Sequence, residues 1–117
     1  MKYEDLDEDM KSIIQECQAD FIRDSNERFD LLVNKQSEMQ NGSASSDEFI
    51  ETVLQQVHAM KGVARTIYYE VFHKKSELLI YYIREHQESK LANIDLSFIK
   101  DEVHALRREL ADCKVFE

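Results

Sequence analysis

The sequence predicts an all-α fold, an antiparallel four-helix bundle, from three observations. The chain has no proline and only two glycines in 117 residues, and 33% of its residues are charged, a composition that favours long helices over a sheet. Apolar residues recur every three or four positions along most of the chain, as in helices with one buried face. One serine-rich loop and two weaker breaks divide this pattern into four segments. Four amphipathic helices with short connections pack most simply in an up-down-up-down order.

The first segment extends from Glu4 to about Gln40 and is rich in residues of high helix propensity. Asp24 followed by Glu27 matches a capping box, which makes two helices with a break near Ser25 the alternative. We favour one long helix that is kinked at most. Residues 1–12 are compatible with a frayed N-terminal extension. The apolar positions at helical spacing are Ile14, Cys17, Phe21, Phe29, Leu32 and Met39.

The second helix begins after the loop Asn41–Ser46, which combines glycine with residues that hydrogen-bond their own backbone. Ser45 with Glu48 three positions later has the spacing of a capping box. We expect this helix to continue to about Tyr68. Its predicted buried stripe consists of Val53, Val57, Met60, Ala64 and Ile67.

The third and fourth helices follow two weaker breaks. The first break, at residues 68–70, is inferred from a change in phase of the apolar stripe, and the second is a weak turn at residues 88–93. Asp95 is a plausible N-cap for the last helix. The predicted inward positions of the third helix are Phe72, Lys75 by its aliphatic stem, Leu79, Tyr82 and Ile83. Those of the fourth are Ile99, Val103, Leu106, Leu110 and Cys113.

Composition excludes several classes of protein. The net charge of −9 disfavours binding to nucleic acid, whose phosphates it would repel. No run approaches the ~18 apolar residues of a membrane span, and the acidic N-terminus lacks the pattern of a signal peptide. We therefore expect one cytoplasmic domain over residues 1–117, with Cys17 and Cys113 as reduced thiols that lack metal-site spacing. The last residues, Val115–Glu117, carry no stop signal, which is compatible with one module of a longer protein.

His58 stands apart from the buried stripe of its helix. On a helical wheel it points about 140° away from the centre of that stripe. Lys61, Gly62 and Arg65 lie one and two turns further along the same side. Gly62 costs the helix about 1 kcal/mol relative to alanine, so a close approach at this position is the expected reason for it. This arrangement suits a histidine that carries an anion and is visited by another protein.

The string His-x-x-Lys-Gly-x-Ala, about a dozen residues into a helix that starts in a serine-rich loop, resembles a histidine-containing phosphotransfer (HPt) domain. The resemblance extends from about Phe49 to Ile83, and Lys61 and Gly62 match the family's most characteristic residues. It implies that His58 takes a phosphoryl group from a receiver-domain aspartate or a sensor histidine kinase and passes it on in a two-component phosphorelay. Such a chain is a monomeric phosphoryl carrier that is not an enzyme by itself and needs no cofactor or metal, because the family's magnesium sits in the receiver.

The resemblance also assigns neighbouring positions. Glu77 has the spacing of the residue on the next helix that often hydrogen-bonds the active imidazole, whereas a second position that is often polar is Ile80 here. Arg65 and Tyr68 replace residues that are usually small, often glycine. Arg65 and Lys61 are the two cations expected to touch the phosphoryl group.

Several other residues around the site have simple structural interpretations. Lys74 and Lys75 extend the basic patch that would meet an acidic receiver, or else are ordinary solvated lysines. Leu54 is a candidate for a small apolar docking surface. His73 forms an i, i+4 pair with Glu77, but one pair without further ligands is a poor metal site. The remaining histidines, His86 and His104, are interpreted as surface residues.

Two alternatives to phosphotransfer remain. The first is a helical interaction module that docks a receiver or a sister signalling domain while His58 is never phosphorylated. The second is the dimerisation helix pair of a sensor kinase, in which an acidic residue typically follows the histidine directly. Because Ala59 follows His58 here, the second alternative ranks well below the first.

Overall fold

The computed structural model describes residues 1–88 and 94–117, and within these ranges the protein is all-helical and has no β-strand. Its four long helices are α1 (Glu8–Gln40), α2 (Ser46–Ala64), α3 (Glu70–Glu88) and α4 (Leu96–Asp112), with short 3₁₀ turns at Tyr3–Asp5 and Arg65–Ile67. The prediction of an all-α, four-helix protein is confirmed. The weak turn predicted at residues 88–93 lies, from residue 89 onward, outside the described residues.

Helix α1 is continuous, so the alternative of two helices is wrong. Ser25 is buried in the middle of this 33-residue helix, where its backbone continues the helical ladder. At about 1.5 Å per residue the helix is about 50 Å long, which matches the longest dimension of the molecule, 50 Å. The helix begins at Glu8, later than predicted, because the Asp7 carboxylate caps it by accepting a hydrogen bond from the Met10 amide at 2.8 Å.

The predicted caps of α2 and α4 are confirmed. The Ser45 hydroxyl accepts a hydrogen bond from the Glu48 amide at 3.1 Å, and the Asp95 carboxylate accepts one from the Phe98 amide at 3.2 Å. Helix α2 ends at Ala64, earlier than the predicted Tyr68, because the chain tightens into the 3₁₀ turn. Tyr68 then takes a left-handed backbone conformation, with φ of 70°.

All four helices contribute to the hydrophobic core. The stripes predicted for α2 and α4 are buried throughout and are thereby confirmed. The stripe predicted for α1 needs a correction. Phe21, Phe29 and Leu32 are buried, but Cys17 is exposed, and Gln18 and Ser25 take the inward positions. Residues 18, 21, 25 and 32 are spaced by three, four and seven, so they share one helical face on which position 17 does not lie.

The side chain of Gln18 is fully buried, with 0% exposure, and joins segments that are distant in sequence. Its Nε2 donates a hydrogen bond to the Ile67 carbonyl at 2.9 Å. Its Oε1 accepts one from the Phe116 amide, also at 2.9 Å. Nearby, the Tyr69 hydroxyl donates to the Lys114 carbonyl at 2.7 Å. These hydrogen bonds thus hold the C-terminal residues against the turn between α2 and α3.

Helix α2 lies between α1 and α3, and α4 completes the assembly by contacting α3 and α1. One flank of α2 therefore faces α1 and the opposite flank faces α3, while the face that carries His58 is exposed. Within the described residues, no helix combines the length and the apolarity that crossing a bilayer requires.

Candidate functional site

His58 is an exposed residue in the third quarter of α2, surrounded by helix on both sides. The buried neighbours Val57 and Met60 hold this part of the helix against the core, so the backbone beneath the imidazole is well anchored. Among residues 1–88 and 94–117, no hydrogen bond or ion pair involves the imidazole. Its nitrogens are accordingly accessible to solvent or to a visiting molecule.

Gly62 lies one turn beyond His58 and is also exposed. A Cβ atom placed on Gly62 would meet nothing within 4 Å, so no neighbouring helix of the described chain requires a glycine there. Its φ is not in the left-handed region, so backbone conformation does not require a glycine either. The surface over Gly62 is open.

Lys61 lies on the flank of α2 that faces α3, and its side chain is 26% exposed. Its Nζ is 3.8 Å from Oε2 of Glu77 on α3, an ion pair that is longer than a hydrogen bond. Arg65 is exposed at the start of the 3₁₀ turn that follows α2. The two predicted anion-binding cations therefore occupy different settings, one paired with α3 and the other at the end of α2.

Glu77 is 58% exposed and interacts with Lys61 and with His73. Its predicted hydrogen bond to His58 is not among the contacts that the structure shows. Ile80, one turn further along α3, is a core residue and offers no polar group to the site.

His73 completes a cluster that the sequence interpretation missed. The ring is 13% exposed, its Nε2 is 3.5 Å from Glu77 Oε2, and its Nδ1 is 3.3 Å from the Lys61 carbonyl oxygen. We refer to Lys61, His73 and Glu77 as the α2–α3 cluster. The i, i+4 spacing of His73 and Glu77 signalled that they pair, but not that Lys61 joins them from another helix. In the described part of the chain, no three His, Cys, Asp or Glu side chains are grouped so that they could hold a metal ion.

The other candidates for a docking surface differ in exposure. Lys75 binds Glu109 of α4 at 3.1 Å, and Lys74 is exposed. Leu54 is partly buried against the core, so it offers less surface than expected. Leu78 and Tyr81 are large exposed side chains on α3, a feature that the helical pattern alone did not single out.

No family model, no curated protein and no solved structure matches this chain. The HPt-like interpretation therefore stays a prediction that depends on the residues around His58.

Proposed function

We propose that this protein is a histidine phosphotransfer protein in which His58 accepts a phosphoryl group from, and donates it to, the aspartate of a receiver domain. The observation that carries the proposal is an exposed imidazole that has no hydrogen-bond or ion-pair partner among residues 1–88 and 94–117, beside the open surface over Gly62. A solvent-exposed nucleophile on a rigid helix, with room for a partner one turn away, is what transfer between two protein surfaces requires.

The proposed reaction is a displacement at phosphorus. The lone pair of a neutral imidazole nitrogen forms the N–P bond while the P–O bond of the aspartyl phosphate breaks, and the electron pair of that bond remains on the aspartate carboxylate. The proton on the other ring nitrogen is free to leave to solvent. Reversal of the same step returns the phosphoryl group to an aspartate, so His58 acts as a carrier and the chain supplies no cofactor.

Electrostatics makes Lys61 the main stabilising residue in this scheme. A phosphoryl group brings about two negative charges, and residues three apart on a helix are surface neighbours. Charges beyond about 8 Å are largely screened at physiological salt, so the nearest cations matter more than the net charge of −9. Arg65, two turns from His58, is the second cation within reach of a phosphoryl group or of the partner's acidic pocket.

We also propose that the four helices form an antiparallel up-down-up-down bundle. Gln18 of α1 bonds Ile67 beyond the end of α2, and Arg28 bonds Gln56 at 2.7 Å, a pairing order that suits antiparallel neighbours. The partners we propose are a receiver domain and a sensor histidine kinase, met by a monomeric, cytoplasmic carrier. Leu78 on α3 is a candidate for the apolar part of the docking surface.

The experiment uses phosphoramidate, a small donor with a P–N bond, so that no particular partner protein is needed. Wild-type protein, His58→Ala and the matched control His104→Ala, which changes another exposed histidine, are incubated with the donor and analysed by intact mass. We expect one acid-labile, alkali-stable phosphoryl group on wild type and His104→Ala, and none on His58→Ala. The free energy of unfolding of the His58 variant should lie within about 0.5 kcal/mol of the wild-type value, because an exposed side chain is removed.

Transfer from a phosphorylated receiver domain is the second step of the test. A protein that binds a receiver domain but takes no label from either donor would support the alternative, an interaction module in which His58 is not a phosphoacceptor. Label that persists in His58→Ala would place the acceptor elsewhere and refute the proposal.

A further inference from the structure

The α2–α3 cluster places one carboxylate between a cation and an imidazole. Glu77 Oε2 is 3.8 Å from Lys61 Nζ and 3.5 Å from His73 Nε2. The same imidazole approaches the Lys61 carbonyl through Nδ1 at 3.3 Å. The His73 ring therefore lies against the backbone of α2 and the carboxylate of α3 at once, and Lys61 is the member of the cluster with a long, mobile side chain.

The Lys61–Glu77 ion pair is weak enough for another anion to replace Glu77 at Lys61. At 3.8 Å it is too long for a strong charge-assisted hydrogen bond, and the two side chains are 26% and 58% exposed. Ion pairs of this kind contribute little stability, so another anion of higher charge can compete for the cation. A phosphoryl group on His58 would be such an anion, since Lys61 is three residues away on the same helix.

Resting on the proposed function, we propose that Glu77 is a positioning residue that acts through Lys61. Glu77 is the counter-ion of Lys61 while His58 is unmodified, and Lys61 leaves it for the phosphoryl group when His58 is phosphorylated. The Glu77 carboxylate then stays on α3 beside His73, which belongs to the same helix. Glu77 thereby sets how readily Lys61 is available to the incoming phosphoryl group, and it need not touch the imidazole.

The expected effect follows from the strength of the pair. Glu77 competes with the phosphoryl group for Lys61. For an exposed ion pair, removing the charge of Glu77 should increase the equilibrium fraction of unpaired Lys61 by about two- to fivefold. Glu77→Gln should therefore raise the rate of His58 phosphorylation by about two- to fivefold. The covalent step is the formation of the imidazole N–P bond from phosphoramidate, with the donor's P–N bond breaking and its electron pair leaving with ammonia.

The test compares Glu77→Gln with Glu51→Gln, which removes the same charge two turns before His58 on the exposed side of α2, away from Lys61. Both substitutions are made in the wild-type, Lys61→Ala and Lys61→Arg backgrounds, and the labelling rate with phosphoramidate is measured by intact mass. We expect Glu77→Gln to exceed Glu51→Gln by about two- to fivefold where residue 61 is Lys or Arg, and to equal it in Lys61→Ala. Rescue of the difference by arginine separates an effect of the cation from a change in packing.

Each outcome is decisive. The same excess of Glu77→Gln in the Lys61→Ala background would show that Glu77 acts without Lys61 and would overturn the inference, as would equal rates for the two charge removals in every background. A wild-type protein that takes no label refutes the proposed function, and this inference with it. Failure of the inference alone leaves the wild type labelled, so the two failures are distinguishable.

Discussion

Two substitutions of Gly62, by alanine and by glutamine, allow its effect on folding stability and its effect on partner docking to be measured separately. Gly62 is an exposed residue inside α2, and a Cβ there meets nothing within 4 Å. Alanine at this site therefore adds no clash and removes the helix penalty of glycine, about 1 kcal/mol. With an unfolding entropy of about 2.1 cal/mol/K per residue, a chain of 117 residues should gain about 4 °C in Tm.

Gly42 is the matched control, since it is the chain's other glycine and a Cβ on it would also meet nothing within 4 Å. Its φ is +86°, a conformation that an L-residue with a side chain adopts only under strain. Gly42→Ala should consequently lower stability by about 1 kcal/mol. Opposite signs for the same chemical change would show that backbone conformation alone separates the two sites.

Function is assayed with Gly62→Gln, which should melt close to the wild type yet obstruct a partner. We expect the rate of phosphoryl transfer from a phosphorylated receiver domain to fall about tenfold or more, by the cost of overpacking an interface. The rate with phosphoramidate should fall far less, because this donor needs no docking surface. A loss of stability in Gly62→Ala, or an unchanged receiver rate in Gly62→Gln, would refute the view that Gly62 serves a docking partner.

Three further predictions concern the end of the bundle. Gln18→Leu should cost about 2–4 kcal/mol in urea unfolding, because the buried Ile67 carbonyl and the Phe116 amide both lose their partner; a cost below 0.5 kcal/mol would contradict the buried network. Tyr68→Gly should be more stable than Tyr68→Ala by about 1 kcal/mol, because both lose the ring while only alanine keeps the left-handed strain. Equal stabilities would contradict that conformation. Burial raises the pKa of Tyr69 to about 12 and the pKa of Cys113 to about 11, so the unfolded chain loses these protons first. Stability should be complete below pH ~9 and fall as the pH rises towards those values, with a shallower fall in Tyr69→Phe; stability that stays constant to pH 11 would contradict the burial of both groups.

Local signals in the sequence were sufficient for most of the fold. The caps at Ser45 and Asp95 depend on residues three positions apart, and the stripes of α2 and α4 depend on a simple period, so both could be predicted without tertiary information. The end of α2 could not be predicted in this way. Nothing in its sequence requires the 3₁₀ turn before Tyr68, whose left-handed conformation a glycine would have signalled.

Polar residues in the core escaped prediction because their partners are remote. Gln18 lies inward only because the Ile67 carbonyl and the Phe116 amide satisfy both ends of its amide, and these partners are 49 and 98 positions away. The helical pattern predicts Cys17, the more apolar neighbour of Gln18, as the inward residue, but Cys17 is exposed. The same reason explains why the α2–α3 cluster was only half visible: the pair on α3 has a recognisable spacing, whereas its contact with Lys61 depends on how two helices align.

The acidic composition of the chain and the proposed chemistry of His58 are compatible because the relevant charges are local. With a net charge of −9 the molecule as a whole repels an anionic donor, but screening confines strong effects to about 8 Å. Within that range of His58, α2 carries Lys61 on its flank towards α3, and the carboxylate paired with this lysine, Glu77, belongs to α3. A lysine neutralised by a carboxylate on another helix is available to a competing anion without any rearrangement of the backbone. For the proposed chemistry we therefore expect the position of Glu77 on α3 to matter more than the acidic residues that dominate the composition.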